Sequence, residues 1–268
     1  MRLLLLVALL ACQSPDVTFP ISTTAIPVAR KLVWADEFNK AGLPDSAKWK
    51  YEVGGNGWGN NELQYYTARR SENARIENGK LIIEARKETY QNKNYTSARL
   101  ITQGKQTWKY GRIEALAKLP KGLGTWPAIW MLGSNSSTTG WPTCGEIDIM
   151  EHVGYDEGVI HGTVHTEAYN HGKHTEKGDT LRVQNVTTDF HLYAIEWTAS
   201  QIDFFIDKQK FYSVKKSDLG EGVAQWPFDQ PFFLILNVAV GGNWGGKNGV
   251  DETIWPQRME IDYVRVYQ

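Results

Sequence analysis

Short β-like runs broken by turn residues constrain this chain more than any other feature. From Lys31 onward no long stretch keeps a helical period, and apolar runs are separated by clusters of Gly, Asn and Pro. The clearest unit is a hairpin over Ala74–Arg86, where Asn78-Gly79 supplies a turn whose two central residues both need positive φ. Further strands are expected at Tyr110–Leu119, Ala128–Leu132, Glu146–His152, Val159–Thr166, His191–Trp197, Ile202–Ile206, Phe232–Val240 and Met259–Tyr267. Such a succession predicts an all-β sandwich or jelly roll. The 268 residues, 41% of them hydrophobic, suffice for one large domain, and no repeat or second-domain boundary interrupts them.

The first residues follow a different rule. One Arg precedes an apolar run from Leu3 to Ala11, too short to span a bilayer and suited to the core of a signal peptide. The run ends in Leu9-Leu10-Ala11-Cys12, which resembles the lipobox of bacterial lipoproteins; there the peptidase cuts before the cysteine and the thiol is lipidated. The alternative is an ordinary signal peptide cut nearby. Cys12 and Cys144 are the only two cysteines, so lipidation of Cys12 would leave Cys144 unpaired. Residues 12–30, rich in Pro, Ser and Thr, read as an extended tether. The expected division is therefore a signal peptide at 1–11, a tether at 12–30 and a catalytic domain at 31–268. The expected location is exported, anchored at an outer membrane or cell surface, with secreted or periplasmic as the alternative. The net charge of −1 points to neither a nucleic-acid nor a membrane-surface partner, so a membrane enters only through the anchor.

The segment that carries chemistry is Gly145-Glu-Ile-Asp-Ile-Met-Glu-His152. Glu146 and Asp148 share one face of a strand and the isoleucines the other. Strict alternation would then bury Glu151 on the apolar face, a costly position without a partner. One extra residue near Ile149-Met150, a β-bulge, returns Glu151 to the acidic face. Three like charges on one stripe suit chemistry or metal. Glycoside hydrolysis needs two carboxyl groups, one ionised and one held protonated by burial or neighbours. The rival readings are a solvated strand face and a calcium site, the latter weaker because hard cations usually draw their oxygens from loops. Upstream, Trp126 and Trp130 share a face only if their segment is extended. Beside an acidic stripe they suit sugar stacking; without it they are core.

The run GEIDIMEH resembles the Glu-x-Asp-x-x-Glu signature of glycoside hydrolase family 16 in its bulged, laminarinase-like form. Trp34–Phe38, Asn61–Tyr66, Gly124–Gly133, His161–His165, Asn237–Trp244 and Ile261–Tyr267 resemble the family in the same order, covering roughly residues 31–268. The resemblance implies a concanavalin A-like jelly roll of two curved antiparallel sheets with an open cleft on the concave face. It implies Glu146 as nucleophile, Glu151 as general acid and then base, and Asp148 as an assisting group between them. It further implies Arg99 as a cleft arginine contacting sugar or nucleophile, Trp126 and Trp130 as a sugar platform, and Asn56 and Trp244 as loop contacts at the donor end. His165 is expected to face the cleft beside Glu151. No cofactor is expected for catalysis. A structural calcium ion is implied on the convex side, at Glu37, the carbonyl of Gly79 and Asp262, though these residues equally suit plain hydrogen bonds. The implied activity is that of a monomeric, endo-acting β-1,3-glucanase that retains configuration. The alternatives are another polysaccharide, mixed-linkage glucan or a marine galactan, or a carbohydrate-binding jelly roll without turnover, which would need neither glutamate.

Overall fold

The computed structural model describes residues 30–268. The expected signal peptide, Cys12 and all of the tether but Arg30 lie outside the described residues. In chain order the described strands are β1 (Leu32–Asp36), β2 (Lys50–Glu52), β3 (Gln64–Tyr66), β4 (Ala74–Glu77), β5 (Lys80–Tyr90), β6 (Lys93–Ser97), β7 (Arg99–Ile101), β8 (Gly111–Lys118), β9 (Thr125–Gly133), β10 (Glu146–His152), β11 (Val159–His165), β12 (Lys177–Arg182), β13 (His191–Trp197), β14 (Gln201–Ile206), β15 (Gln209–Lys215), β16 (Phe232–Val240) and β17 (Gln257–Tyr267). Two short helices, α1 (Ser136–Thr139) and α2 (Lys216–Leu219), sit in connections.

Ten strands form one sheet in the order β15-β14-β13-β8-β17-β5-β6-β3, with β1 on β17 and β4 on β5. The other seven form a second sheet, β12-β11-β10-β9-β16-β7-β2. The expected all-β jelly roll is thus present, with one departure from antiparallel pairing: β3 runs parallel to β6. The Ala74–Arg86 hairpin forms as expected, with Asn78 at φ 53° and Gly79 at φ 70° between β4 and β5.

Alternation explains the layers. Leu81, Ile83 and Ala85 of β5 and Ile113, Ala115 and Ala117 of β8 face the core from the larger sheet. Ile129 and Met131 of β9, Ile147 and Ile149 of β10, and Ile160 and Val164 of β11 face it from the smaller one. Full burial of each Leu, Ile, Val or Met among them contributes about 1.5–3 kcal/mol. β16 is buried along its whole length. Its even-numbered residues Phe232 to Val240 join the main core, while Phe233 and Ile235 join Ile101 in a second cluster that Trp130 and Leu132 cover. The outward face of the seven-stranded sheet therefore has an apolar floor at its centre. No described helix is long and apolar enough to cross a membrane.

Candidate active site

Every central feature of the site follows from the path of β10. Gly145, at φ 78°, leads into the strand where an added Cβ would lie 2.6 Å from Pro227 Cγ. Against β11, Asp148 pairs with Thr163 and Glu151 with His161. Against β9, Asp148 pairs with Trp130 and Glu151 with Ala128. Three steps along β10 thus match two on either neighbour, which is the expected bulge, and Ile149 is unpaired on both sides. Ile147, Ile149 and Met150 are all buried in the core. Glu146, Asp148 and Glu151 emerge together on the opposite face, beside Leu132, Trp130, Ala128 and Trp126 of β9.

Nothing near these carboxyls fully neutralises them. Burial, then the charge of Asp148, pushes Glu146 up to about 8. Burial, then the charge of Glu151, holds Asp148 well above the usual carboxylate range. Burial, then the charge of Glu146, pushes Glu151 up to about 7, against the opposing pull of a hydrogen bond that Trp126 Nε1 donates to its Oε1 at 3.0 Å. Asp148 and Glu146 also share a hydrogen bond, which requires a proton on one of them. The three groups titrate as a set, sharing protons across the cluster rather than acting as separate acids. An arrangement that keeps a proton between Asp148 and Glu146, and another on Glu151 near neutrality, has the charge division that glycosidic cleavage needs.

His165 corrects one expectation. It does face outward, but antiparallel pairing sets it opposite Glu146 rather than beside Glu151. Its Nε2 lies 3.3 Å from Asp148 Oδ2 and 3.8 Å from Glu146 Oε1. The donors of Glu146, Asp148 and His165 lie within 4.8 Å of one another, close enough to share a divalent cation as well as protons. The histidine opposite Glu151 is His161, four residues earlier on the same face of β11, and its ring meets Trp244 edge-on at 4.8 Å. His161 was legible from the same alternation.

The aromatic walls confirm that β9 is extended, so Trp126 and Trp130 share a face. Trp244 packs edge-on against Trp126 at 5.4 Å. Arg99 is clasped between the rings of Trp58 and Trp130, 4.7 Å from each, and its Nε lies 2.5 Å from Glu52 Oε2. Its charge reaches Glu146 through space, but Glu52 holds its head. Asn56 is exposed and accepts the Trp58 backbone N–H on its side-chain oxygen at 3.1 Å, shaping its own loop. At the Glu146 end stand two groups not anticipated from sequence. The partly exposed Trp141 lies 5.1 Å from His171 and 6.1 Å from His165. Trp141 precedes Glu146 by a short Pro-containing loop, a signal that was there to read; His171 lies in the turn that follows β11 and left none.

The implied calcium set does not fit. Arg265 grips both carboxylate oxygens of Glu37 at 2.8 Å, and Lys80 Nζ lies 3.6 Å from Asp262 Oδ1. Two cationic side chains stand where carboxylates were to face a metal, leaving the Gly79 carbonyl without the anionic partners that calcium prefers.

Two packed sheets with a bulged strand presenting paired carboxyls beside indole rings define a jelly-roll glycosidase. The chain belongs to glycosyl hydrolases family 16, whose model matches residues 61–265. It is 56% identical over 243 residues to a beta-glucanase of Rhodothermus marinus, across 89% of this chain and 85% of the relative. The X-ray structure of the laminarinase from Rhodothermus marinus superposes with a TM-score of 0.87 at 56% identity, covering 89% of this chain and 97% of that one. SCLam, a non-specific endo-β-1,3(4)-glucanase of the same family, superposes with a TM-score of 0.85 at 50% identity, covering 91% and 93%.

Proposed function

We propose that this chain is an endo-acting hydrolase of β-1,3-glucan that retains anomeric configuration. One observation carries the reading: the bulge brings Glu146, Asp148 and Glu151 onto one face beside Trp126 and Trp130, in a chain 56% identical to a beta-glucanase. Asp148 keeps its proton and donates toward Glu146, which bears the negative charge and attacks the anomeric carbon. Glu151 gives its proton to the departing glycosidic oxygen as the C–O bond breaks. In the second half, Glu151 takes a proton from water, whose oxygen displaces Glu146 and restores the original configuration. Every group named belongs to one chain, which supports action as a monomer.

Purified protein should release reducing sugar from laminarin, and the anomeric proton signal in the first minutes should be β. An α signal that appears first and then mutarotates would overturn the role of Glu146; no release from laminarin would overturn the substrate. Cleavage of mixed-linkage glucan is the second reading, favoured by the 50% identity to a non-specific β-1,3(4)-glucanase. A panel that adds mixed-linkage glucan, agar and carrageenan separates these. The run Leu9-Leu-Ala-Cys12 supports export as a lipoprotein held at an outer membrane or cell surface through Cys12. Cys12→Ser should move the protein out of membrane fractions, and an unchanged distribution would refute the anchor.

A further inference from the structure

One buried carboxylate near the cleft takes no part in the chemistry above. Glu62, 5% exposed, follows the loop that carries Asn56 and bridges to Gly241. Its Oε2 accepts from Gln64 Nε2 at 2.6 Å and from the Tyr66 hydroxyl at 3.3 Å, and its Oε1 from Asn60 Nδ2 at 3.4 Å. Tyr66 in turn accepts from Asn237 Nδ2 at 3.1 Å, and Asn237 Oδ1 accepts from Trp130 Nε1 at 2.7 Å. Both ends of this chain have fixed polarity. An indole nitrogen only donates and an ionised carboxylate only accepts. Asn237 and Tyr66, lying between, are therefore allowed one orientation each. Tyr66 is fully buried, so an unmade link would cost more than a made one returns.

A second arm leaves from the same carboxylate. With its amide nitrogen committed to Glu62, Gln64 must turn its oxygen to the Val240 backbone N–H, at 2.7 Å. Val240 ends β16 and leads into the loop that carries Trp244. That loop is tied back to the Glu62 segment by Asn243 N–H to the Asn60 carbonyl at 2.7 Å and by Asn61 Nδ2 to Asn243 Oδ1 at 2.8 Å. Trp244 packs on Trp126, whose indole donates to Glu151.

We propose that Glu62 is a positioning residue: one buried anion that ends two hydrogen-bonded arms, one orienting the Trp130 indole and the other seating the Trp244–Trp126–Glu151 corner. The proposal rests on the glucanase reading for its kinetic consequences, but the orientation of the indoles does not depend on it. Glu62 also adds a negative charge to the field at Glu151. The other titratable groups there are Glu146 and Asp148 on the same strand and His161 and His165 on β11; Glu62 itself is pushed up by burial, against the opposing pull of the Gln64 hydrogen bond and the Arg99 charge.

Glu62→Gln and Tyr66→Phe in the full chain test this. Glu62→Gln removes the charge and lets the link to Tyr66 run with either polarity; Tyr66→Phe cuts the Trp130 arm alone. Glu62→Gln should raise KM for laminari-oligosaccharides by about fivefold to tenfold, the scale of a lost polar link, with a smaller fall in kcat. It should also move the alkaline limb of the pH–rate profile to lower pH, because losing a nearby negative charge lets Glu151 give up its proton sooner. Tyr66→Phe should raise KM about fivefold without moving the limb. Both should alter the near-ultraviolet circular dichroism of the indoles. Folded variants with wild-type KM, pH profile and indole signals overturn the proposal. If Glu62→Gln does not fold, an unchanged KM and indole signal in Tyr66→Phe overturns it alone. Wild-type protein inert on laminarin would refute the glucanase reading instead, and the indole signals would still decide the positioning.

Discussion

The two sheets treat buried carboxylates in opposite ways. On the outward face of the ten-stranded sheet, acids are matched with bases. Glu84 lies between Arg75 and Arg86, Glu260 between Lys118 and Arg258, and Arg112 reaches both Glu114 and Glu196. The hydrogen bond from Arg265 holds Glu37 below the usual carboxylate range. On the outward face of the seven-stranded sheet, Glu146, Asp148 and Glu151 stand among histidines and indoles with no cationic side chain in contact, and all three are pushed up. The same residue type serves as a matched surface charge on one side and as a proton store on the other. What differs is a guanidinium or ammonium in direct contact: Arg99 acts on Glu146 only through space and is paired with Glu52. The catalytic face gives up stability that the other face keeps.

Breaking the catalytic side should produce the largest effect. Glu146→Ala should lower kcat by at least about 10⁴-fold, the scale of losing a nucleophile, while the variant still folds and binds oligosaccharide. Azide should restore part of the activity with a product of inverted configuration. Wild-type rates in the soluble variant would remove Glu146 from the mechanism.

The proton store itself is testable through pH. Activity should fall on the alkaline side with an apparent pKa near about 7, as Glu151 loses its proton. The Trp126 hydrogen bond favours the charged form, so Trp126→Phe should shift that limb upward by about half a unit. A limb that stays put, or moves down, would mean that Trp126 does not govern the acid.

Stability should respond to matching Gln substitutions with opposite signs on the two faces. Glu151 in the folded chain titrates near about 7, above the ordinary value of 4.5. As pH rises between these values the unfolded chain releases its proton first, so stability present below the lower value is lost through the higher one. Glu151→Gln escapes that loss and should melt ~2–4 °C above wild type at pH 8, with little difference at pH 4. Glu84→Gln, which leaves Arg86 unmatched and Arg75 with Glu77 alone, should melt ~2–6 °C lower. Equal signs in calorimetry would erase the contrast. The smallest effect is expected from chelation. With Glu37 held by Arg265, a chelator should change the melting temperature by less than about 1 °C. A larger drop would mean that a cation displaces Arg265 from its carboxylate.

Strands that lie in the interior of a sheet with apolar alternation were readable; those at edges were not. β10, β13 and β16 occupy the expected residues, because β13 and β16 carry an unbroken core-facing series and β10 breaks its own only at the bulge. β12, the sequence KGDTLR at the sheet edge, is polar and largely exposed, so nothing in its own composition marks it as a strand. The catalytic triplet was legible because Glu151 conflicted with alternation and only a bulge resolved the conflict. The neighbours of His165 depended on register, which pairs β10 with β11 through a turn that sequence does not specify. The Glu62 arms join Tyr66 to Asn237 across 171 residues, and no local pattern announces such a link. The calcium set came from resemblance alone, and the competing claim of Arg265 on Glu37 required the pairing of β1 with β17 to be seen.

The bulge at Ile149 also acts as a change of phase within one strand. Before it, even-numbered residues of β10 look outward; after it, odd-numbered ones do. The two carboxyls that divide the reaction are thus written in different phases. Paired as a regular strand with no residue removed, the same sequence would keep every catalytic residue in the chain. The effect would be to carry Glu151 through the plane of the sheet into the packed interior. The acid would be lost by relocation, without a single change in its own chemistry.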